Sequence, residues 1–158
     1  MNDSVRVRTA QLTDLPELAG LFRLYLEFYG VRPDTEDGPE AFLTDRLKNG
    51  DAVVLLAETN GAGVGFAQVY PTFSSLAMKT VWTLNDLYVR PEARGAGAGR
   101  ALVRACLERA RAAGAAGVQL ETAPDNRVAQ ALYETEGFGR GEYLTYFRTV
   151  DTGADALG

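Results

Sequence analysis

The sequence predicts a mixed α/β fold, a single domain in which a twisted sheet of six to seven strands carries helices on both faces. Three observations predict it. The 158 residues are close to the length of one domain. Some segments alternate apolar and polar residues, which predicts strands, and others repeat apolar residues every three or four positions, which predicts helices. Three strand-like segments precede a strand–helix–strand pattern, which indicates antiparallel and parallel neighbours in one sheet.

The first helix has the clearest local signals. Thr13 or Asp14 can cap its start, and Pro16 suits its first turn, where a proline loses no hydrogen bond. Leucines and aromatic residues then recur at spacings of three and four as far as Gly30, as in an amphipathic helix. A second, shorter helix is predicted over residues 39–48.

Glycines separate the later elements. The run NGAG at residues 60–63 predicts a hairpin turn between two strands. Gly114 and Gly137 follow two helical patterns and end them. The predicted order is β-α-α-β-β-β-α-β-α-β, with elements at residues 4–9, 13–30, 39–48, 51–59, 64–71, 80–89, 98–113, 117–123, 126–136 and 139–150.

The chain has the features of a cytoplasmic protein. No apolar run approaches the roughly 18 residues of a membrane span, and the N-terminus lacks an apolar signal core. The single cysteine, Cys106, suits a reducing compartment and is expected to face the core. We expect no membrane partner, one domain over residues 1–150, and a flexible tail over residues 151–158.

Residue types and charge exclude several classes of function. The chain has no histidine and one cysteine, so we expect no metal site of the common zinc kinds and no Ser-His-Asp or Cys-His catalysis. The net charge of −5 disfavours nucleic acid as a partner. The same charge is compatible with a cationic small molecule.

A glycine-rich turn comes directly before a predicted helix, in the stretch VRPEARGAGAGRAL at residues 89–102. Alternating glycines leave backbone N–H groups accessible, and a helix start adds unpaired N–H groups and partial positive charge. Four arginines stand in or beside this turn, an exception in an acidic chain: Arg90, Arg94, Arg100 and Arg104. This combination favours an anion site, best suited to a diphosphate.

Known phosphate motifs fit the turn only in part. The P-loop pattern G-x-x-x-x-G-K-(S/T) does not occur. A dinucleotide loop would use Gly95 and Gly97, but Arg100 stands where its third glycine or alanine is required. From the glycines alone, a tight strand-to-helix turn without a ligand stays open as an alternative.

Longer patterns resemble the GNAT superfamily of acetyl-CoA-dependent N-acetyltransferases. LNDLYVRPEARGAGAGRAL, at residues 84–102, is similar to its signature of a strand followed by P-E-x-R-G-x-G-x-G-(R/K)-x-L. LETAPDNRVAQALYETEGF, at residues 120–138, is similar to its later strand, asparagine and helix with LYE and GF. The resemblance covers roughly residues 4–150, and residues 69–89 resemble the branch that acetylates polyamines and other small amines.

The resemblance implies acetyl-CoA as the acetyl donor and assigns residues to it. The backbone of Leu87 and Val89 would pair with the pantetheine, and residues 94–100 would wrap the pyrophosphate. Asn126 would hydrogen-bond the pantetheine, and Tyr133 would approach the sulfur. The expected contacts are Leu87, Tyr88, Val89, Arg94, Gly95, Ala96, Gly97, Ala98, Gly99, Arg100, Asn126 and Tyr133.

Acetyl transfer to an amine needs a base and an acid. A primary amine with a pKa of ~10.4 is almost wholly charged at pH 7, and the leaving thiolate gains from a proton. Tyr133 is the candidate acid, two helical turns after Asn126; its alternative role is a core aromatic. Asp86 is the candidate base, acting through water; its alternative is a structural carboxylate. Asn85 stands where the polyamine branch has a glutamate, and this difference counts against polyamines as the acceptors.

Acceptor contacts are expected from the first helix, from the connection at residues 71–76 and from the strand beside the thioester. The residues are Tyr25, Glu27, Tyr29, Phe73, Ser74, Asn85 and Asp86. The predicted reaction is direct transfer to a small cationic amine in a ternary complex, and the resemblance is compatible with a homodimer. A peptide or protein N-acetyltransferase and a non-catalytic acyl-CoA-binding domain are the alternatives.

Overall fold

A five-stranded mixed sheet is the centre of the structure, a computed structural model that describes residues 4–150. The strands, in spatial as well as chain order, are β1 (Arg6–Thr9), β2 (Val53–Thr59), β3 (Ala62–Ser74), β4 (Lys79–Val89) and β5 (Gly117–Gln119). Neighbours are antiparallel from β1 to β4, and β5 is parallel to β4. The helices are α1 (Leu15–Phe28), α2 (Gly38–Asn49), α3 (Ala98–Ala112) and α4 (Arg127–Thr135).

Helices cover both faces of this sheet, as the sequence predicts. Alternate residues of β2 enter two separate cores, with Leu55 in the core beneath α3 and Leu56 in the core beneath α1 and α2. Leu102 and Cys106 of α3 are fully buried in the first core, which confirms the inward position predicted for the cysteine. Phe66 of β3 is fully buried in the second core.

A β-bulge interrupts the alternation of β4. Val69 of β3 pairs with Leu84, whereas Gln68 pairs with Asp86, so Asn85 is an extra residue on β4. Before the bulge, Leu84 packs beneath α3. After it, the Asp86 side chain turns to the opposite face and contacts α1.

The predicted final strand over residues 139–150 is wrong. These residues have no regular secondary structure, and all are exposed. Alternating apolar residues form a strand only when a neighbouring edge supplies backbone partners, and no backbone hydrogen bond joins this segment to the rest of residues 4–150. The described sheet therefore has five strands rather than six to seven.

Two further boundaries differ from the prediction. The strand predicted over 117–123 ends at Gln119, because β4 and β5 diverge there. The strand predicted to end at Pro71 continues to Ser74. The pairing of β2 with β3 ends at Val53 and Val69, so the β2 side of β3 is free at Pro71. The proline lacks an N–H group, and no hydrogen bond is lost on that side.

The predicted tail over residues 151–158 lies outside the described residues, and a single domain over residues 1–150 stays a prediction. Within residues 4–150, the helices are all too short or too polar to cross a membrane. The same residues contain no group of three acidic or thiol side chains placed to hold a metal ion.

Candidate active site

A cavity of about 1230 Å3 opens where β4 and β5 separate. The two strands pair from Val81 with Gly117 to Thr83 with Gln119, and the pairing then stops. The cavity extends from α1 across this gap to α4. It is lined by Tyr25, Tyr29, residues 83–85, residues 118–124, Tyr133 and Phe138, together with residues beyond α4.

The second half of β4 presents a free backbone edge to this gap. The N–H of Arg90 donates to the carbonyl of Val64 on the β3 side, at 2.8 Å. Because backbone groups alternate in direction along a strand, those of Leu87 and Val89 point away from β3. The Val89 carbonyl confirms this direction, since it accepts from Nε of Arg94 at 3.0 Å. This edge is the one that the family resemblance implies for the pantetheine.

The glycine turn brings a series of free donors to the start of α3. Gly95 and Gly97 have φ values of 85° and 91°, in the left-handed region, where a side chain would be strained. No hydrogen bond within residues 4–150 involves the backbone N–H groups of residues 95–100. The first backbone bond of α3 runs from Ala101 N–H to the Gly97 carbonyl. The geometry predicted for an anion site is therefore present.

The arginines near the turn also contact groups of the protein itself. Arg100 and Arg104 both form ion pairs with Glu136, at the end of α4. Nε of Arg90 donates to the Gly63 carbonyl. The Arg94 guanidinium lies over the rings of Phe28 and Tyr88, at 5.7 and 5.6 Å. The backbone N–H groups of residues 95–100 are free donors, whereas these four guanidinium groups already have partners.

The two residues expected on the later helix lie at its two ends. Asn126 caps α4, because its Oδ1 accepts from Ala129 N–H at 3.2 Å. Tyr133 lines the cavity and packs edge-on against Phe138, with ring centroids 5.9 Å apart. Burial, with a smaller contribution from Tyr29, raises the pKa of Tyr133, so its phenol keeps its proton at neutral pH.

Asp86 is buried behind the cavity and does not line it. Its carboxylate accepts from the Tyr25 hydroxyl at 2.8 Å, from Nε2 of Gln68 at 3.1 Å and from Nδ2 of Asn85 at 3.1 Å. Tyr25 and Asn85 do line the cavity. Burial, followed by the charge of Asp86, raises the pKa of Tyr25. Tyr25 therefore stands between the carboxylate and the space for an acceptor.

Three predicted acceptor residues lie elsewhere. Phe73 and Ser74 are at the far end of the β3–β4 hairpin, where the Phe73 side chain is 86% exposed. Glu27 is exposed on α1 and does not line the cavity, unlike Tyr25 and Tyr29. Tyr25 and Tyr29 are four residues apart and lie on one face of α1, whereas Glu27 lies on another face.

The structure adds residues that the sequence reasoning missed. Gln68 is fully buried on β3 beside Asp86, and its Oε1 has no hydrogen-bond partner among the described residues. A glutamine inside the apolar run VGFAQVYP was the signal that could have identified it. Glu121 and Glu134 line the cavity and bring negative charge to it. Their positions depend on the divergence of β5, which no local pattern indicates.

The open strand edge beside free N–H groups at a helix start is the arrangement expected of an acyl-CoA site, and comparison with known proteins defines the class. Residues 18–138 match the model of the Acetyltransferase (GNAT) family. A crystal structure described as that of a probable acetyltransferase has a TM-score of 0.86 and 37% identity, covering 94% of this chain and 99% of that one.

Individual relatives agree with this class. The chain is 46% identical over 134 residues to "Uncharacterized N-acetyltransferase YhfO" of Bacillus subtilis (strain 168), covering 85% of this chain and 89% of that protein. It is 35% identical over 127 residues to "Aminoglycoside N(6')-acetyltransferase type 1" of Stenotrophomonas maltophilia, covering 75% and 80%. The chain belongs to the GNAT family and is an acetyl-transferring enzyme, as its sequence motifs predict.

Proposed function

We propose that the protein transfers the acetyl group of acetyl-CoA directly to the primary amine of a small cationic molecule. The observation that carries this proposal is the gap between β4 and β5, which begins at Thr83 and Gln119 and runs beside the free backbone edge of β4. Acetyl-CoA fits it chemically, because pantetheine amides can pair with that edge and a pyrophosphate with the N–H groups of residues 95–100. The lone, buried Cys106 favours the cytoplasm as the compartment.

The chain's own residues supply the proton transfers. The amine nitrogen attacks the thioester carbonyl carbon, a C–N bond forms and the C–S bond breaks. The proton released by the amine passes to the Tyr25 oxygen as the Tyr25 proton moves to Asp86, along the 2.8 Å hydrogen bond. Tyr133 gives its proton to the thiolate, and exchange with solvent restores both groups. A free N–H of β4, such as that of Leu87, stabilises the negative charge on the carbonyl oxygen.

The charge of the cavity supports a cationic acceptor. Glu121 and Glu134 line it against one arginine, Arg140, and Asp86 lies behind Tyr25. Carboxylates in the lining attract an ammonium group and raise its local concentration. The relative named as an aminoglycoside N-acetyltransferase also favours a small acceptor with several amines.

A screen tests the acceptor class. Acetyl-CoA is incubated with the protein and with diamines, amino sugars, amino acids or short peptides, and released thiol is measured. We expect turnover with small polyamino compounds and none with short peptides whose only amine is at the N-terminus. Turnover confined to peptides would identify a peptide N-acetyltransferase, and binding of acetyl-CoA without any turnover would identify a binding domain.

A glycine variant tests the donor site separately. Gly97→Val forces a β-branched residue into a φ of 91° and displaces the N–H groups of the turn. We expect its affinity for CoA, measured by calorimetry, to fall at least tenfold, about 1.4 kcal/mol. Gly114→Val is the matched control, because Gly114 has a φ of 77° at the opposite end of α3. Equal affinities of the two variants for CoA would exclude the turn as the pyrophosphate site.

A further inference from the structure

We propose that Gln68 of β3 is a positioning residue, which holds the Asp86 carboxylate in the orientation that receives the proton of Tyr25. This inference rests on the proposed function, in which that proton moves along the 2.8 Å hydrogen bond from Tyr25 to Asp86. Gln68 is fully buried and does not line the cavity, so it acts on an acceptor only through other side chains.

The register of the sheet places Gln68 and Asp86 side by side. They are directly paired across β3 and β4, at the point where the bulge at Asn85 interrupts the ladder. Side chains of directly paired residues lie on the same face of a sheet, with Cβ atoms roughly 5 Å apart. The backbone therefore supports the contact, in which Nε2 of Gln68 donates to Oδ2 of Asp86 at 3.1 Å.

The donors to Asp86 are divided between its two carboxylate oxygens. The Tyr25 hydroxyl and Nδ2 of Asn85 both donate to Oδ1, at 2.8 and 3.1 Å. Gln68 donates to Oδ2. A carboxylate that is held at both oxygens cannot rotate about its Cβ–Cγ bond without breaking a hydrogen bond. The Gln68 contact therefore keeps a lone pair of Oδ1 directed at the Tyr25 hydroxyl.

The orientation of the Gln68 amide is unfavourable for stability. An ionised carboxylate only accepts hydrogen bonds, so the amide turns its NH₂ group towards Asp86 and its carbonyl oxygen away. That oxygen, Oε1, is buried and has no hydrogen-bond partner among the described residues. An unpaired buried acceptor destabilises a fold, and an apolar side chain would avoid this. A glutamine here therefore indicates a role other than stability.

A neutral donor suits a carboxylate that has to gain and lose a proton. A lysine or arginine in place of Gln68 would favour the charged form of Asp86 and so oppose its protonation. An amide N–H donates to Oδ2 both when the carboxyl group is charged and when Oδ1 carries the Tyr25 proton. Gln68 can therefore hold the carboxyl group in one place throughout the proton transfer.

The groups around Asp86 leave neutral donors as the support for its charge. The titratable and charged groups in this region are Tyr25, Tyr29, Tyr70, Tyr88, Arg46 and Asp51. Burial, followed by the charge of Asp86, raises the pKa of Tyr25 and raises that of Tyr70 to about 12, so both keep their protons in the neutral range. Arg46 of α2 pairs with Asp51. No ion pair within residues 4–150 involves Asp86.

The first test removes the donor and keeps the approximate size of the side chain. Gln68→Met should lower kcat about 10- to 100-fold, as expected for a lost hydrogen bond to a charged group, with little change in KM for the amine or in affinity for CoA. Val69→Ala is the control, at a fully buried neighbour on β3 that packs in the other core. Melting curves verify that both variants are folded. Wild-type kcat in Gln68→Met, or equal losses in both variants, would overturn the proposal.

A double-mutant cycle shows whether Gln68 acts through Asp86. In the Asp86→Asn background, Gln68→Met should change kcat by less than about twofold, because the carboxylate that it positions is already gone. The same loss in both backgrounds would show an effect independent of Asp86 and would contradict the proposal.

A pH profile separates positioning from packing. Gln68→Glu keeps the size of the side chain and places a second carboxyl group beside Asp86. Two carboxyl groups this close share a proton, so a higher pH is needed before Asp86 can accept one. The acidic limb of the kcat profile should therefore move up by about one pH unit or more, and Val69→Ala should keep the wild-type limb. An unmoved limb in Gln68→Glu would also overturn the proposal.

A spectroscopic measurement separates this inference from the proposed function. The ¹³Cζ signal of Tyr25 reports on the hydrogen bond that its hydroxyl donates to Asp86. It should move in Gln68→Met and stay in place in Val69→Ala, in the absence of any acceptor. That result, together with no acetyl transfer to any amine, would contradict the proposed function alone. Acetyl transfer with an unmoved Tyr25 signal and wild-type kcat in Gln68→Met would contradict the inference alone.

Discussion

Asp86 is an acidic residue in an apolar strand, and its hydrogen bonds explain why it is tolerated there. Three side chains donate to its carboxylate, so the cost of burying the charge is offset. The bulge at Asn85 turns the carboxylate towards Tyr25 and away from the gap. We therefore propose that Asp86 acts on an acceptor through Tyr25, in place of the water considered from the sequence.

We expect Asp86→Asn to lower kcat/KM for the amine and leave the affinity for acetyl-CoA near normal. Activity should recover partly at high pH, where more of the amine is already neutral. Burial raises the pKa of Tyr25, so Tyr25 itself keeps its proton and gives no step in the neutral range. Tyr25→Phe should reproduce the loss and its recovery. Wild-type kinetics in both variants would show that the pair is structural.

Tyr133 is expected to protonate the leaving thiolate, since it lines the cavity with its phenol protonated. Tyr133→Phe should lower kcat about 10²–10⁴-fold, with little change in KM for acetyl-CoA. Tyr146→Phe removes an exposed hydroxyl outside the cavity and serves as the control. If kcat of Tyr133→Phe stays close to that of Tyr146→Phe, Tyr133 is a packing residue.

At the scale of elements, one carboxylate joins the helices on either side of the donor site. Glu136, whose side chain is 8% exposed, accepts from Arg100 and Arg104 of α3 and so holds the end of α4 against the helix that starts at the glycine turn. Hydrogen bonds from Arg104 and then Arg100 lower the pKa of Glu136 below the usual glutamate value of 4.5. The charged form is therefore favoured by folding.

We expect Glu136→Gln to reduce the melting temperature at neutral pH. The pKa of Glu136 is lower in the folded than in the unfolded protein, so its charge stabilises the fold above about pH 4.5. This stabilisation is lost as the pH falls through the folded-state pKa. Melting curves from pH 7 to pH 3 should therefore converge for the variant and the wild type. Glu108→Gln, an exposed carboxylate on α3, should show a much smaller difference. A difference in melting temperature that does not change with pH would mean that the substitution removes packing contacts rather than a charge interaction.

At the scale of the whole molecule, the sheet is shared by two cores. Leu43 anchors α2 in one and Leu102 anchors α3 in the other, and both are fully buried. β2 and β3 contribute alternate residues to each core, so neither core can be lost without exposing the sheet that supports the other.

Leu43→Ala and Leu102→Ala are each expected to cost about 2–5 kcal/mol in the free energy of unfolding, through lost burial and a residual cavity. Both should shift the same single transition in denaturant, followed by circular dichroism and by Trp82 fluorescence. Leu76→Ala, at a side chain that is 96% exposed, should stay within about 0.5 kcal/mol of the wild type. Separate transitions for the two probes would show that the cores unfold independently.

Features that depend on neighbouring residues could be predicted from local patterns alone. Gly95 and Gly97 give the turn its left-handed backbone, and the apolar spacing of α3 places Cys106 in the core. Four of the strands and all four helices lie where local patterns predict them, because turn residues, caps and periodicity act over a few positions. The family followed from the same local motifs.

Contacts between residues that are distant in the chain depend on the three-dimensional fold and could not be predicted in this way. Arg100 pairs with Glu136, 36 positions away, a partner that no local pattern indicates. Tyr25 meets Asp86 across 61 positions because a bulge turns the carboxylate to that face. The alternation of residues 139–150 predicts a strand but not a partner for it. In each case the register of the sheet and the divergence of β5 fix which groups meet, and no local spacing carries that information.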